Sequence, residues 1–120
     1  MNIEKFREVI KRREYIEDIS CGEWADGIEE CQKQLIDILS EDVPSTIDFL
    51  NTDCTAEEYS WISEVLEDII EKKPCAELVQ CYKALMTKFP EECTTYNIAS
   101  CIEGAEAILK LETEHGKVIN

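Results

Sequence analysis

The stretch from Asp53 to Phe89 constrains this chain most, because two amphipathic patterns meet there at Pro74. It opens DCTAEEYSW, in which Thr55 and Glu58 have the spacing of a capping box: the hydroxyl accepts from the third backbone N–H and the carboxylate reaches back. A helix starts there. Tyr59, Ile62, Val65, Leu66, Ile69 and Ile70 then recur at helical spacing as one apolar stripe. Proline has no amide hydrogen and disfavours helix in the residue before it, so EKKP predicts a helix end with Pro74 opening the next helix. That second helix carries Leu78, Cys81, Tyr82, Leu85 and Phe89 on one face. Two helices of about four turns on so short a connection predict an antiparallel hairpin.

The flanks read as helices too. Residues 2 to 19 place Phe6, Val9, Ile10, Ile16 and Ile19 on one face, against Lys5, Arg7, Lys11, Arg12 and Arg13 on the other. Those bases are matched by Glu4, Glu8, Glu14, Glu17 and Asp18, so this reads as a solvated, self-paired face rather than a nucleic-acid patch. Ser20, Cys21 and Gly22 interrupt the pattern, and Glu23 to Ser40 resumes it with Trp24, Ile28, Cys31, Leu35, Ile38 and Leu39, which puts Trp24 in the core. Gly27 costs about 1 kcal/mol against alanine inside a helix, so this helix either starts after Gly27 or uses it for close packing. Glu41 to Pro44 reads as an interruption, Ser45 as the cap of a brief helix to Asn51, and EECTT as a connection. Thr94 or Thr95 then caps a last helix from Tyr96 to about Leu111. No strand-length alternation occurs between hairpin signals. The expectation is an all-α fold of five to six amphipathic helices, either an antiparallel bundle or a short helical-hairpin solenoid. One domain spans 1–112, with 113–120 a frayed tail.

Acids number 27 against 12 bases in 120 residues, a formal net charge of −15. Phosphate binding is dominated by cationic neutralisation, so direct nucleic-acid binding is disfavoured and a basic partner is the complement. No run approaches the length of a membrane span and MNIEKFREVI is no secretory leader, so a soluble cytoplasmic protein with no membrane partner is expected. Seven cysteines, without a C-x-x-C and with His115 as the one histidine, disfavour a zinc site. Their odd number, and the place of Cys31, Cys81 and Cys101 on apolar stripes, predict reduced, mostly buried thiols.

Catalytic signatures are absent from the sequence: there is no Gly-rich phosphate loop, H-E-x-x-H, G-x-S-x-G or calcium loop. Neither an enzyme nor a cofactor is expected. What distinguishes the chain is where its charge sits: residues 41 to 80 hold eleven acids and two lysines, a net −9. Trp61 lies off the apolar stripe among these carboxylates. An exposed aromatic beside acids is the composition of an interface hot spot, while the plainer reading half-buries Trp61 against a neighbouring helix.

The segments EEYSWISEVLEDIIEK, AELVQCYKALMTKFPEE and TYNI, over roughly residues 53 to 98, resemble a group of small acidic helical bacterial immunity proteins, encoded beside secreted or contact-delivered toxins. The resemblance implies a protein that neutralises a cognate toxin, commonly a basic nuclease, by covering it with an acidic helical face. Asp53, Glu57, Glu58, Trp61, Glu64 and Asp68 are then the toxin-binding candidates. A non-enzymatic adaptor or a self-associating structural domain is the alternative, and the sequence leaves the oligomeric state open.

Overall fold

The structure is a computed structural model that describes residues 1–114. Among the described residues 84% are helical and none lies in a strand, so the all-α class stands. The helices are α1 (Ile3–Ser20), α2 (Ala25–Glu41), α3 (Val43–Thr52), α4 (Ala56–Ser63), α5 (Leu66–Lys72), α6 (Ala76–Ala84), α7 (Pro90–Tyr96) and α8 (Ile98–Glu114), with a 3-10 turn at Leu85–Thr87. Among the described residues eight helices replace the expected five to six. No described helix is long and apolar enough to cross a membrane.

Local signals place most boundaries. The Asn2 side chain accepts from the Lys5 amide at 3.0 Å and starts α1, which ends where Cys21 and Gly22 turn into the left-handed region at φ +52° and +78°. Thr55 and Glu58 form the expected capping box at the head of α4, both bonds at 3.1 Å. Three boundaries differ from expectation. Pro44 lies in the first turn of α3, capped by Asp42, instead of interrupting the chain. Pro90 opens α7 with Glu91 and Glu92 in its first turn, so EECTT is helix, and the connection shrinks to left-handed Asn97 at φ +50°. Pro74 precedes Cys75, the N-cap of α6, rather than opening that helix. The last helix continues through Thr113 and Glu114; the rest of the expected tail, with His115, lies outside the described residues.

The expected hairpin does not form. Its first helix breaks after Ser63, where Glu64 and Val65 donate to Trp61 and Ile62, three residues back, and Val65 leaves helical geometry at φ −117°, ψ 4°. Its second stops at Ala84. A pair of fully buried tyrosines accounts for both breaks. Tyr59 and Tyr82 stack with ring centroids 4.2 Å apart; the Tyr59 hydroxyl donates to the Tyr82 carbonyl at 2.8 Å, and the Tyr82 hydroxyl donates to the Tyr59 carbonyl. Each phenol thus competes for a carbonyl whose helical partner lies four residues on, at Ser63 or Met86, where the helix gives way. Ser63 adds to this by donating to the Ser60 carbonyl at 2.6 Å.

Bent after Ser63, the stripe of Leu66, Ile69 and Ile70 turns onto α8, and α6 packs on α8 as well, so α8 lies where the two halves of the hairpin were expected to meet. Elsewhere α1 runs along α2, and α2, α3, α4 and α5 each pack on the helix three further on. Phe6 meets Phe49 edge to face at 5.4 Å, and Phe89 tilts against Tyr59 at 5.0 Å, so aromatic contacts tie α1 to α3 and α4 to the α7 entry. Gly27 lies inside α2, its absent Cβ replaced by the Trp24 ring 2.6 Å from where that atom would be. Close packing is therefore its role. Trp24 itself caps α2 and is 52% exposed rather than core, and Ile19 is likewise exposed.

Phenylalanine at position 59 or 82 removes one of the two crossed hydrogen bonds and is expected to cost about 1–2 kcal/mol in urea unfolding. The double variant should cost less than the sum of the two, because the rings share one packing site.

Candidate functional site

The seam between α1 and α4 carries most of the sequence-predicted positions, and it is joined by long charged side chains. Arg7 donates through Nε to Glu58 Oε2 at 2.8 Å, and through Nη2 to the Asp53 carbonyl at 3.2 Å. Six residues on, Arg13 donates through Nη2 to Glu64 Oε1 at 2.9 Å, and the same oxygen accepts from Gln32 of α2 at 2.8 Å. Arg13 Nη1 is 3.2 Å from Glu17 Oε1, and its guanidinium lies 4.9 Å above the Trp61 ring.

The predicted acids therefore separate by environment. Glu58 is buried: burial pushes its carboxyl up, and the Arg7 hydrogen bond with the Thr55 amide reverses this and holds it below the usual range. It serves both the cap and the α1–α4 joint. Glu64 is held by Arg13 and Gln32. Asp53 ends α3 with its carboxylate exposed, and Trp61 is half-buried under Arg13. Asp68 is exposed on another face, in a groove of about 550 Å³ beside Lys33, Asp37 and Lys72, where Lys72 donates to Asp37 at 2.7 Å. Asp68 is thus apart from the other five.

Glu57 meets a residue the sequence reading left out. Its carboxyl lies beside that of Glu14 of α1, and Glu14 is pushed up to about 7, first by hydrogen bonding to Glu57, then by burial and by the charges of Glu57 and Asp18, with Lys11 opposing. Two carboxyls from different helices thus lie close together, with no arginine between them. A cleft of about 460 Å³ opens between α1, α4 and the α7–α8 junction, lined by Arg13, Glu17, Trp61, Glu64 and Tyr96 among others. Arg13, Glu14, Glu17 and Tyr96 were not among the predicted site residues. Arg13 could have been found, because it continues the spacing of Phe6, Val9, Ile10 and Ile16. The positive face of α1 is accordingly not wholly self-paired: Arg7 and Arg13 both reach α4.

The seven thiols are free: Cys31 and Cys54 are buried, Cys21 is exposed and four are half-buried, so fewer are enclosed than expected. Burial pushes Cys54 up to about 12 and raises Cys31, Cys81, Cys93 and Cys101 as well, which disfavours thiolate chemistry at these five. Among the described residues no group of three or more His, Cys, Asp or Glu is arranged to hold a metal ion. The arrangement offers carboxylates and aromatic faces for a cation. Comparison with protein families, with curated proteins and with solved structures finds no match for this chain.

A carboxyl that holds its proton more tightly folded than unfolded contributes stability that is complete below its unfolded pKa of 4.5 and is lost as pH rises through about 7. Glu58 acts in the opposite sense and lower, its contribution being lost as pH falls from 4.5 through its depressed folded value. The urea midpoint should therefore fall between pH 4.5 and about 7, and Glu14→Gln should flatten that slope.

Proposed function

We propose that this chain is an immunity protein that binds a cognate basic toxin, a nuclease in the reading favoured here, and neutralises it by covering it with an acidic helical face in the cytoplasm. The observation that carries the reading is the Glu14–Glu57 pair, two carboxyls brought together from α1 and α4 without a basic partner of their own. Like charges this close repel unless they share a proton, and a cation from a second protein relieves them without one. The net charge of −15 adds long-range attraction for a basic partner, and the resemblance over residues 53 to 98 names a class of partner that fits. Occlusion requires no catalytic group of the protein. Asp53, Glu57, Trp61 and Asp68 are the candidates free to contact the toxin, while Glu58 and Glu64 act through the arginines they hold. Between the two architectures open to the sequence, the pairing of α2 to α5 with the third helix on supports a short superhelical stack.

The alternative, a self-associating adaptor, draws on one observation: Tyr15, Ile19 and Trp24 are exposed near the α1–α2 turn. On that reading particle size grows with concentration and no toxin partner exists.

Co-purification with the protein encoded immediately upstream, followed by a nuclease assay with and without this chain, tests the proposal; a tight complex with suppressed activity is expected. Within that complex, Glu57→Lys combined with Asp68→Lys should slow association roughly tenfold and weaken its salt dependence while leaving the fold intact. A neighbour that does not bind, or that binds and stays active, overturns the immunity reading.

A further inference from the structure

The groove that holds Asp68 continues past Asp37 and Lys72 into a second one of about 510 Å³, since those two residues line both. Charge changes sign along it. Toward the start of α2 the walls carry Asp26, Glu29, Glu30 and Asp68 against Lys33, whereas the far end carries Lys5, Lys72 and Lys73 against Asp37 and Glu41. Three bases against two acids make that end locally +1 in a chain of net charge −15. Lys72 and Asp37 are paired at 2.7 Å. Lys5 comes from α1 and Lys73 ends α5; both are exposed, and among the described residues neither makes an ion pair, with Glu41 included. The packing of α1 against α2 and of α5 against α2 thus gathers free cations from two elements on one groove.

We propose that this groove is a two-signed docking surface, and that Lys5 and Lys73 are its specificity-determining residues, receiving an Asp or Glu side chain of the basic partner. Acids at one end attract any cationic protein and so select none. A positive end selects: a partner basic throughout is repelled there, and one that carries an acid at the matching place is held. The spacing follows from α2, because Glu29 and Ile38 line the two ends and nine residues of helix rise about 14 Å. The partner's acid therefore lies about that far from the base that the acidic end takes. A small free anion is disfavoured, since the field of a chain at −15 opposes its approach, whereas an acid on a basic protein arrives with that protein's charge. The inference rests on the basic-partner reading above, and adds to it what distinguishes one basic partner from another.

The test uses the full chain and the protein encoded immediately upstream, with the complex of the unaltered chain as reference. Lys5→Glu combined with Lys73→Glu takes the formal net charge from −15 to −19, because each reversal removes one positive charge and adds one negative. If the count of charges alone governed the contact, this variant would bind a basic partner more tightly. The opposite is expected: affinity falls about tenfold, because the partner's acid now meets two acids. Lys88→Glu with Lys110→Glu makes the same change in net charge at two exposed positions outside the groove, and should leave affinity level or raise it. Lys5→Met with Lys73→Met removes the two charges without placing an acid at the end of α5, and should weaken binding roughly two- to fivefold, which keeps the test open if the reversed pair unfolds. When the partner's acids are changed one at a time to lysine, one change should restore binding of the reversed variant. A reversed variant that binds as tightly as the unaltered chain, one that weakens no more than the Lys88 and Lys110 control, or the absence of any restoring change overturns the proposal. No complex with the unaltered chain is a different failure, and it overturns the immunity reading beneath it.

Discussion

The arrangement of this fold depends on two tyrosines that each take the other's backbone carbonyl. Tyr59 and Tyr82 stack in full burial and cross their hydroxyls onto α6 and α4, so the contact between these helices is made by rings and polar atoms together. A buried phenol must find a partner, and here the partners within reach are main-chain carbonyls of the helices themselves. Satisfying them weakens each helix one turn further along. Breaks after Ser63 and Ala84 redirect the apolar residues of α5, let α8 pack against both α5 and α6, and put α7 against α4. The α7–α8 junction that carries Tyr96 thereby comes to face Trp61.

Arg13 is the second constraint. An arginine inside a protein loses several kcal/mol of hydration unless acids repay it, and two do: Glu17 from its own helix and Glu64 from α4. Arg7 makes the corresponding joint with Glu58 nearer the start of α1. These pairs convert two of the acids of the negative segment into structural elements. The acidity of that segment free to face a partner is therefore smaller than its sequence charge suggests, with Asp53, Glu57 and Asp68 left exposed. This division fits a binding protein, because carboxylates already bound to arginine steer a partner less than those without one.

Much of this was legible in the sequence, wherever a signal acts over a few residues. The capping box at Thr55 and Glu58, the apolar stripes of α1, α2 and α8, and the turn at Cys21 and Gly22 all depend on hydrogen bonds and periodicities within about two turns of helix. Pro90 and Pro44 were legible in principle as first-turn prolines and were read instead as breakers, since a proline preceded by apolar residues supports either reading. The split of α4 from α5 was not legible. Its stripe is continuous from Tyr59 to Ile70, and what interrupts it is a hydroxyl from residue 82.

The sequence by itself determined that this chain is helical, where α1 and α4 begin, that it is strongly acidic, and that Trp61 lies among acids. These follow from local hydrogen bonding, residue periodicity and the count of charges, none of which needs the rest of the chain. Only the tertiary structure decided which acids are available, because that depends on which helix crosses α1. It decided that Glu58 and Glu64 belong to arginines, that Glu57 faces Glu14, and that Trp61 shares a cleft with Tyr96. Pairing energies of side chains far apart in sequence depend on distance and burial, and those exist only once the helices have packed.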